Sequence, residues 1–427
     1  MKKLKIIPVL FICAVLGIGL AGCSGGGGGS AGSSPSGDSS AGNNPSSPSS
    51  QSQPLSNAPV GNLGVAIFPN DPLVDNPADT TGILQVAHLL DANGNPLATP
   101  TLSSLTFSGA GDIDGASLTT GGANGVLTDA DNDMIFFSLI DGTVSTSQAP
   151  YQISKSYGTD GDSIAIMSDG DNAVVSLDSR DVLLLVSGML SKKPQAAELI
   201  PIPDYRDGVV ISYDDKVLLA RGGSGLTVFA ISPATPAPGP LGGTVSHTFT
   251  QTIANVTALG ARQNDGGGRD GMAISPTDSS RAVIITNATG AASSSVSLVT
   301  GLPTGAIISN SISVSLHVDS VAIAPGQPGD LAIVGTDSGL LMFSGVAAGK
   351  LTQVGSLYTP SYNINGKAVK LGRITTLGVT IDGKYAVAGD ITNGALLTIP
   401  ISAGGFGAPA GVLPGVSIPA NDEMLVH

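Results

Sequence analysis

Aspartate is the residue whose spacing in this sequence could do chemistry. Asp114, Asp162, Asp207, Asp270 and Asp319 each open a similar phrase: a small residue, alternating apolar residues, a polar turn and a second apolar run. The phrase reads DSIAIMSDGDNAVVSL from Asp162 and DGMAISPTDSSRAVIIT from Asp270, with a looser copy at Thr376 that lacks the acid. Copies arranged around one axis would bring five carboxylates together, and such a ring would attract a hard cation such as Ca2+. Aspartate also caps turns by accepting backbone N–H bonds, so each acid has a purely local use as well. The residues alone leave both uses open.

A second candidate lies at Asp129-Ala130-Asp131-Asn132-Asp133, where Asp129, Asp131 and Asp133 alternate as oxygen ligands do in a calcium loop. The turn glycine and distal glutamate of the EF-hand are missing, so the segment also reads as a solvated hairpin turn. Asp160-Gly161-Asp162 and Asp169-Gly170-Asp171-Asn172 are shorter relatives, and Asp-Gly is a favoured hairpin dipeptide. No organic cofactor is expected, and Ca2+ is the one ion these acids suggest.

General-base chemistry falls to four histidines, His88, His247, His317 and His427. None accompanies a Gly-x-Ser-x-Gly elbow or an HExxH helix. His317 stands two residues before Asp319, which makes it the histidine to inspect, with Arg269 as a second polar candidate. An ordinary strand residue is the favoured reading of it. The glycine-rich run Asn264–Asp270 leads into an apolar strand pattern, not into a helix whose N-terminus could cradle phosphate. The absence of Trp weakens aromatic-platform binding of sugars or quaternary amines.

These residues must be positioned by strands. Few Lys and Glu, with abundant Gly, Val, Ile, Ser and Thr, disfavour helices and suit a sheet protein. The copies begin at intervals of 48, 45, 63, 49 and 57 residues from Asp114 through Thr376. Periods of this size containing several short strands point to the blades of a β-propeller. Residues 62–107 supply three further strand patterns, GVAIF, ILQVAHLL and TLSSLTF, and the C-terminal SIPANDEMLVH supplies one that could complete the same blade. The expectation is therefore an all-β propeller over residues 58–427, of seven blades if the N- and C-terminal strands pair to close it, and of six blades or an open array if they do not.

The beginning of the chain differs in kind. Lys2, Lys3 and Lys5 precede an apolar stretch, Ile6–Leu20, and then Leu20-Ala21-Gly22-Cys23. Such a stretch is short for a membrane span and has the form of a signal peptide, residues 1–22. Leu-Ala-Gly-Cys resembles a bacterial lipobox, which implies cleavage before Cys23 and its acylation, palmitate included, and Ser24 resembles the outer-membrane sorting pattern. The location so implied is the bacterial cell envelope, periplasmic or surface-exposed. Cys13 leaves with the leader and Cys23 is the only other cysteine, so a disulfide or a thiolate metal site is excluded. Residues 24–57 are nearly all Gly, Ser, Pro, Asn and Gln, a composition expected to form a flexible tether spanning about 30–35 Å.

Loss of the three leader lysines leaves 15 basic residues against 32 acidic ones, a formal charge of −17. A field of that sign repels nucleic acid and anionic headgroups and draws cations and basic partners.

The phrase DGMAISPTDSSRAVIITN, followed by SVSLVTGL, is similar to the repeats of YVTN-type and lactonase-like seven-bladed propellers, which share an SPDG-like turn. Ser275-Pro276-Thr277-Asp278 matches best, Asp382-Gly383-Lys384-Tyr385 keeps part of the turn, and the YVTN tetrad itself is absent. The resemblance implies a fold more than an activity, because propellers host enzymes and binding proteins alike. The leading reading is a binding or scaffolding propeller at the cell envelope, with a protein partner met by loops such as 232–243 and 358–370. The alternatives are a lactonase-like hydrolase with a cation at the central channel, and a structural envelope protein.

Overall fold

The computed structural model describes residues 64–69, 81–108, 113–119, 122, 124–129, 133–140, 143–146, 151–152, 161, 163–177, 180–191, 194–203, 206–222, 225–232, 246–253, 271–287, 294–326, 329–418 and 424–426. The leader, Cys23, the expected tether, Asp131, Asp162, Arg269, Asp270, His427 and all but Ser232 of the 232–243 loop lie outside them. Among the described residues no helix is long and apolar enough to cross a membrane.

The described strands form five four-stranded sheets, two five-stranded sheets and one separate hairpin, with antiparallel neighbours throughout. The fold is that of a β-propeller. Within a blade the strands follow one another from the inside outward: Met272–Ile274, Arg281–Asn287, Ser294–Thr300 and Ile307–Val314 make one of them. Sequence explains which strand lies where. The second strand Asn172–Leu177 is buried at every residue, as a strand covered on both faces must be, and reads NAVVSL. The outermost strand Ile307–Val314 alternates exposed and half-buried residues along IISNSISV, the period of a strand with one wet face.

The core lies between blades. One apolar cluster joins Val283, Val296 and Leu298 of one blade to Val321, Val334 and Phe343 of the next. Another joins Ile333 and Met342 to Leu377, Ala388 and Leu397. Adjacent blades thus share their apolar layers.

The three strand patterns of residues 62–107 appear as Val65–Pro69, Thr81–Leu90 and Pro96–Ser108. Leu425–Val426 pairs antiparallel with the first of these, Ala66 opposite Val426 and Ile67 opposite Leu425. It also lies beside two other innermost strands, Ile374–Val379 and Ile113–Leu118. Gly378 makes this approach feasible, because a Cβ there would collide with the Val426 side chain.

Pairing register explains the repeated acids. Asp114, Asp207 and Asp319 each stand where the register of an innermost strand shifts, as a β-bulge does. In the last copy the shift falls between Ile374 and Thr376. Thr375, not Thr376, therefore occupies the aspartate position, a one-residue correction to the expected repeat start.

Candidate ligand-binding channel

Aligned on the aspartate position of each copy, the repeats carry a second regularity. Four residues after it come Leu118, Ile166, Ile211, Ile274, Ile323 and Val379, one from each of six innermost strands, and all six line one central cavity. Val426 of the C-terminal strand lines it too. The cavity has a volume of about 460 Å3, within the roughly 300–1,000 Å3 typical of small-molecule sites. Sequence inspection passed over this ring because each member looks like an ordinary core residue.

The wall ends at the turns that follow the innermost strands. Ser168, Tyr213, Pro276, Pro325 and Ile381 occupy one equivalent turn position and form the rim of the cavity. Tyr213 is 66% exposed and Ile381 55%, so the cavity meets solvent there. Asp215 is the one ionisable acid or base other than Tyr213 among the described lining residues.

Asp215 is almost wholly buried and adopts φ 52°, at a turn position where Gly122, Gly170 and Gly383 also have positive φ. Its carboxylate reaches the preceding blade: Oδ1 accepts the Ser168 N–H at 2.9 Å, and Oδ2 accepts the Ser168 hydroxyl. Burial pushes this carboxyl above the usual carboxylate range, and the Ser168 hydrogen bonds oppose the shift only in part. Asp330, at φ 56°, repeats the device, accepting from Ser275 Oγ at 2.5 Å and Thr277 Oγ1 at 2.7 Å. These two acids were absent from the sequence expectations; a buried aspartate in a left-handed turn is hard to tell from a solvated one.

The acids expected to converge behave differently where they are described. Asp319 is nearly buried and accepts two bonds from Arg373 at the start of the next blade, Nη2 to Oδ1 at 2.8 Å and Nε to Oδ2 at 3.1 Å. His317 Nδ1 lies 3.2 Å from Asp319 Oδ1. The structure thus brings His317, Asp319 and Arg373 together, at the bulge end of the strand and not among the residues lining the cavity. Asp114 and Asp207 have described backbone in innermost strands, Ile113–Leu118 and Arg206–Ile211, but their side chains lie outside the description, as do those of Asp129 and Asp133 at the strand ends Asn124–Asp129 and Asp133–Ile140. Among the described residues no three His, Cys, Asp or Glu side chains cluster as metal ligands do. Asp169 serves its own turn, accepting the Asp171 and Asn172 N–H groups at 2.9 and 3.0 Å.

His88 is in the strand Thr81–Leu90 of the first blade, and burial lowers its pKa. His247 lies in the outer strand Ser246–Ile253. The 358–370 loop is an ordered hairpin, Ser361–Ile364 with Lys367–Lys370, held by two tyrosines. Tyr362 is buried and donates to Asp390 Oδ2 at 2.8 Å; Tyr358 donates to the Gly407 carbonyl and stacks on Phe406 with ring centroids 4.7 Å apart. Burial pushes the Tyr358 hydroxyl up to about 12.

Taken together, the cavity can exclude water from an apolar group and offers hydrogen bonds at one rim. No family model matches the sequence, and no curated protein matches it. Among solved structures, the periplasmic gluconolactonase PpgL of Pseudomonas aeruginosa is similar at a TM-score of 0.56 and 12% identity, over 85% of this chain and 99% of that one. A putative 6-phosphogluconolactonase of Bacteroides fragilis gives 0.54 and 14%, over 85% and 98%. The dihydro-heme d1 dehydrogenase NirN gives 0.50 and 13%, over 86% and 68%. At such identities the likeness is one of fold, and that fold is the β-propeller.

Proposed function

We propose that the chain is a cell-envelope lipoprotein whose propeller works by binding, with a protein partner seated on the turn-side rim of the channel. The observation that carries this reading is the pair of large apolar side chains, Tyr213 and Ile381, exposed on that rim beside an aliphatic channel. Exposed apolar and aromatic groups around a concavity are what recognition surfaces use. In this reading residues 1–22 are removed, Cys23 carries the lipid, residues 24–57 form the tether, and the anchor is in the outer membrane. The propeller is a ring of seven blades, with Leu425–Val426 as the innermost strand of the first; its pairing with Val65–Pro69 supports that closure.

In-cell crosslinking and affinity recovery, comparing the lipidated protein with Cys23→Ala and with a Tyr213→Ser, Ile381→Ser double variant, tests the proposal. A stoichiometric protein recovered by the first and lost with the rim variant is expected; equal recovery by both would end the rim assignment.

The second reading, a lactone hydrolase, draws on two fold neighbours that bear lactonase names and on the grouping of His317 with Asp319 and Arg373. It predicts turnover of simple lactones that Ca2+ or chelation alters and that His317→Gln abolishes. Turnover unaffected by His317→Gln would exclude this histidine as its base.

A further inference from the structure

We propose that the central channel is a binding site for a small neutral amphiphile, its aliphatic part against the ring of branched side chains and its polar end at the Ser168 and Tyr213 rim. This deepens the binding reading and rests on it, adding a small-molecule ligand to the protein partner. Three observations carry it.

The first is the wall. Ile166, Ile211, Ile323 and Val379 line a space of about 460 Å3, and apolar atoms facing an unfilled space lack the dispersion contacts a packed interior would give them. An aliphatic group supplies the missing contacts.

The second is charge. The described lining contains no Lys, Arg or His, and its one carboxylate is Asp215. Nothing described in the channel compensates an anionic headgroup, and the chain as a whole is acidic, at −14 for the full sequence. Phosphorylated sugars and fatty carboxylates are therefore poor occupants. The third is polarity concentrated at one end. Tyr213 and Ser168, whose hydroxyl donates to Asp215, stand at the rim, while the described lining strands below present aliphatic side chains apart from Ser117, which accepts the Ile166 N–H. A ligand with one hydroxyl or ester and one hydrocarbon end matches that gradient.

The test uses residues 23–427 made without the leader, so that Cys23 is not acylated and no apolar leader competes for the probe. N-phenyl-1-naphthylamine, a neutral probe that fluoresces in apolar surroundings, is titrated in and then displaced with decan-1-ol or decanoate. Saturable binding is expected, with decan-1-ol displacing the probe at least tenfold more effectively than decanoate. Ile211→Asp puts a charge in the channel and Ala322→Phe fills it; each should weaken probe binding at least tenfold, and thermal melts establish that both variants fold. Ile307→Ser, which removes an exposed apolar side chain from an outer strand, should leave binding unchanged.

Absence of saturable binding, equal displacement by decanoate, or sensitivity to Ile307→Ser with indifference to Ala322→Phe would each overturn the proposal. Recovery of a protein partner in the crosslinking experiment is read separately, so loss of the amphiphile leaves the binding reading standing or falling on its own result.

Discussion

Single side chains in this propeller do two kinds of electrostatic work, and Arg221 shows the more demanding kind. It is fully buried, with Nη2 3.1 Å from Thr286 Oγ1 and Nη1 3.4 Å from the Gly271 carbonyl of the next blade. A buried charge survives only when it is hydrogen-bonded, and removing it strands its acceptors. Arg221→Met should cost about 3 kcal/mol, read as a lower midpoint in urea. An unchanged midpoint would mean that the acceptors find other donors. Asp215 is the opposite case. Its folded pKa is raised, so the stability it contributes is fully present below its unfolded pKa and is lost as pH rises through the folded value. Asparagine keeps an acceptor for Ser168 without that loss. The melting temperature of Asp215→Asn, relative to wild type, should therefore climb between about pH 3 and about pH 7. A flat difference would remove the burial argument. Asp278 has the other sign: the Ser280 hydroxyl, first among its partners, holds its carboxyl low, and its contribution fades as pH falls.

At the scale of elements, what sequence reveals depends on whether a contact is made within a strand or between blades. Alternation and turn residues locate the strands themselves, because Ser212, Ser275 and Thr380 end innermost strands and organise the turns that follow. The hairpin Ser361–Ile364 with Lys367–Lys370 was expected only as a loop; its fixing groups, Tyr358 and Tyr362, act through Gly407 and Asp390, 49 and 28 residues away. Distance in sequence hides such bonds. Asp319 was noticed for its repetition, yet its described partner, Arg373, lies 54 residues on. Residues joined across a blade boundary should show energetic coupling. A double-mutant cycle of Asp319→Asn with Arg373→Gln should give a coupling energy of about 1–3 kcal/mol by urea denaturation, since the pair is bidentate and largely buried. Coupling near zero would mean that packing, with no contribution from this ion pair, aligns the two blades.

For the whole molecule, the decisive contact is a strand of only two residues, Leu425–Val426. Met424 and Leu425 are each 4% exposed, and Val426 packs where Gly378 leaves room. Removing residues 424–427 would expose the cluster that Met424 shares with Ala66, Leu89 and Leu396. It would also leave Val65–Pro69 with an unpaired edge, which is a template for another chain. Both effects act together if the ring closes through this strand. The truncated protein should melt about 5–10 °C lower, given the burial lost and the size of the domain, and should elute in part as larger species. Gly378→Val offers the same test without shortening the chain, because its new side chain displaces Val426 from the opposite side. Both variants should also lose the fluorescent probe, since Val426 forms part of the channel wall. A truncation that melts like the wild type and stays monomeric would show that the two ends contribute nothing to closure, and the blades would then have to be held in their ring by the interblade layers alone.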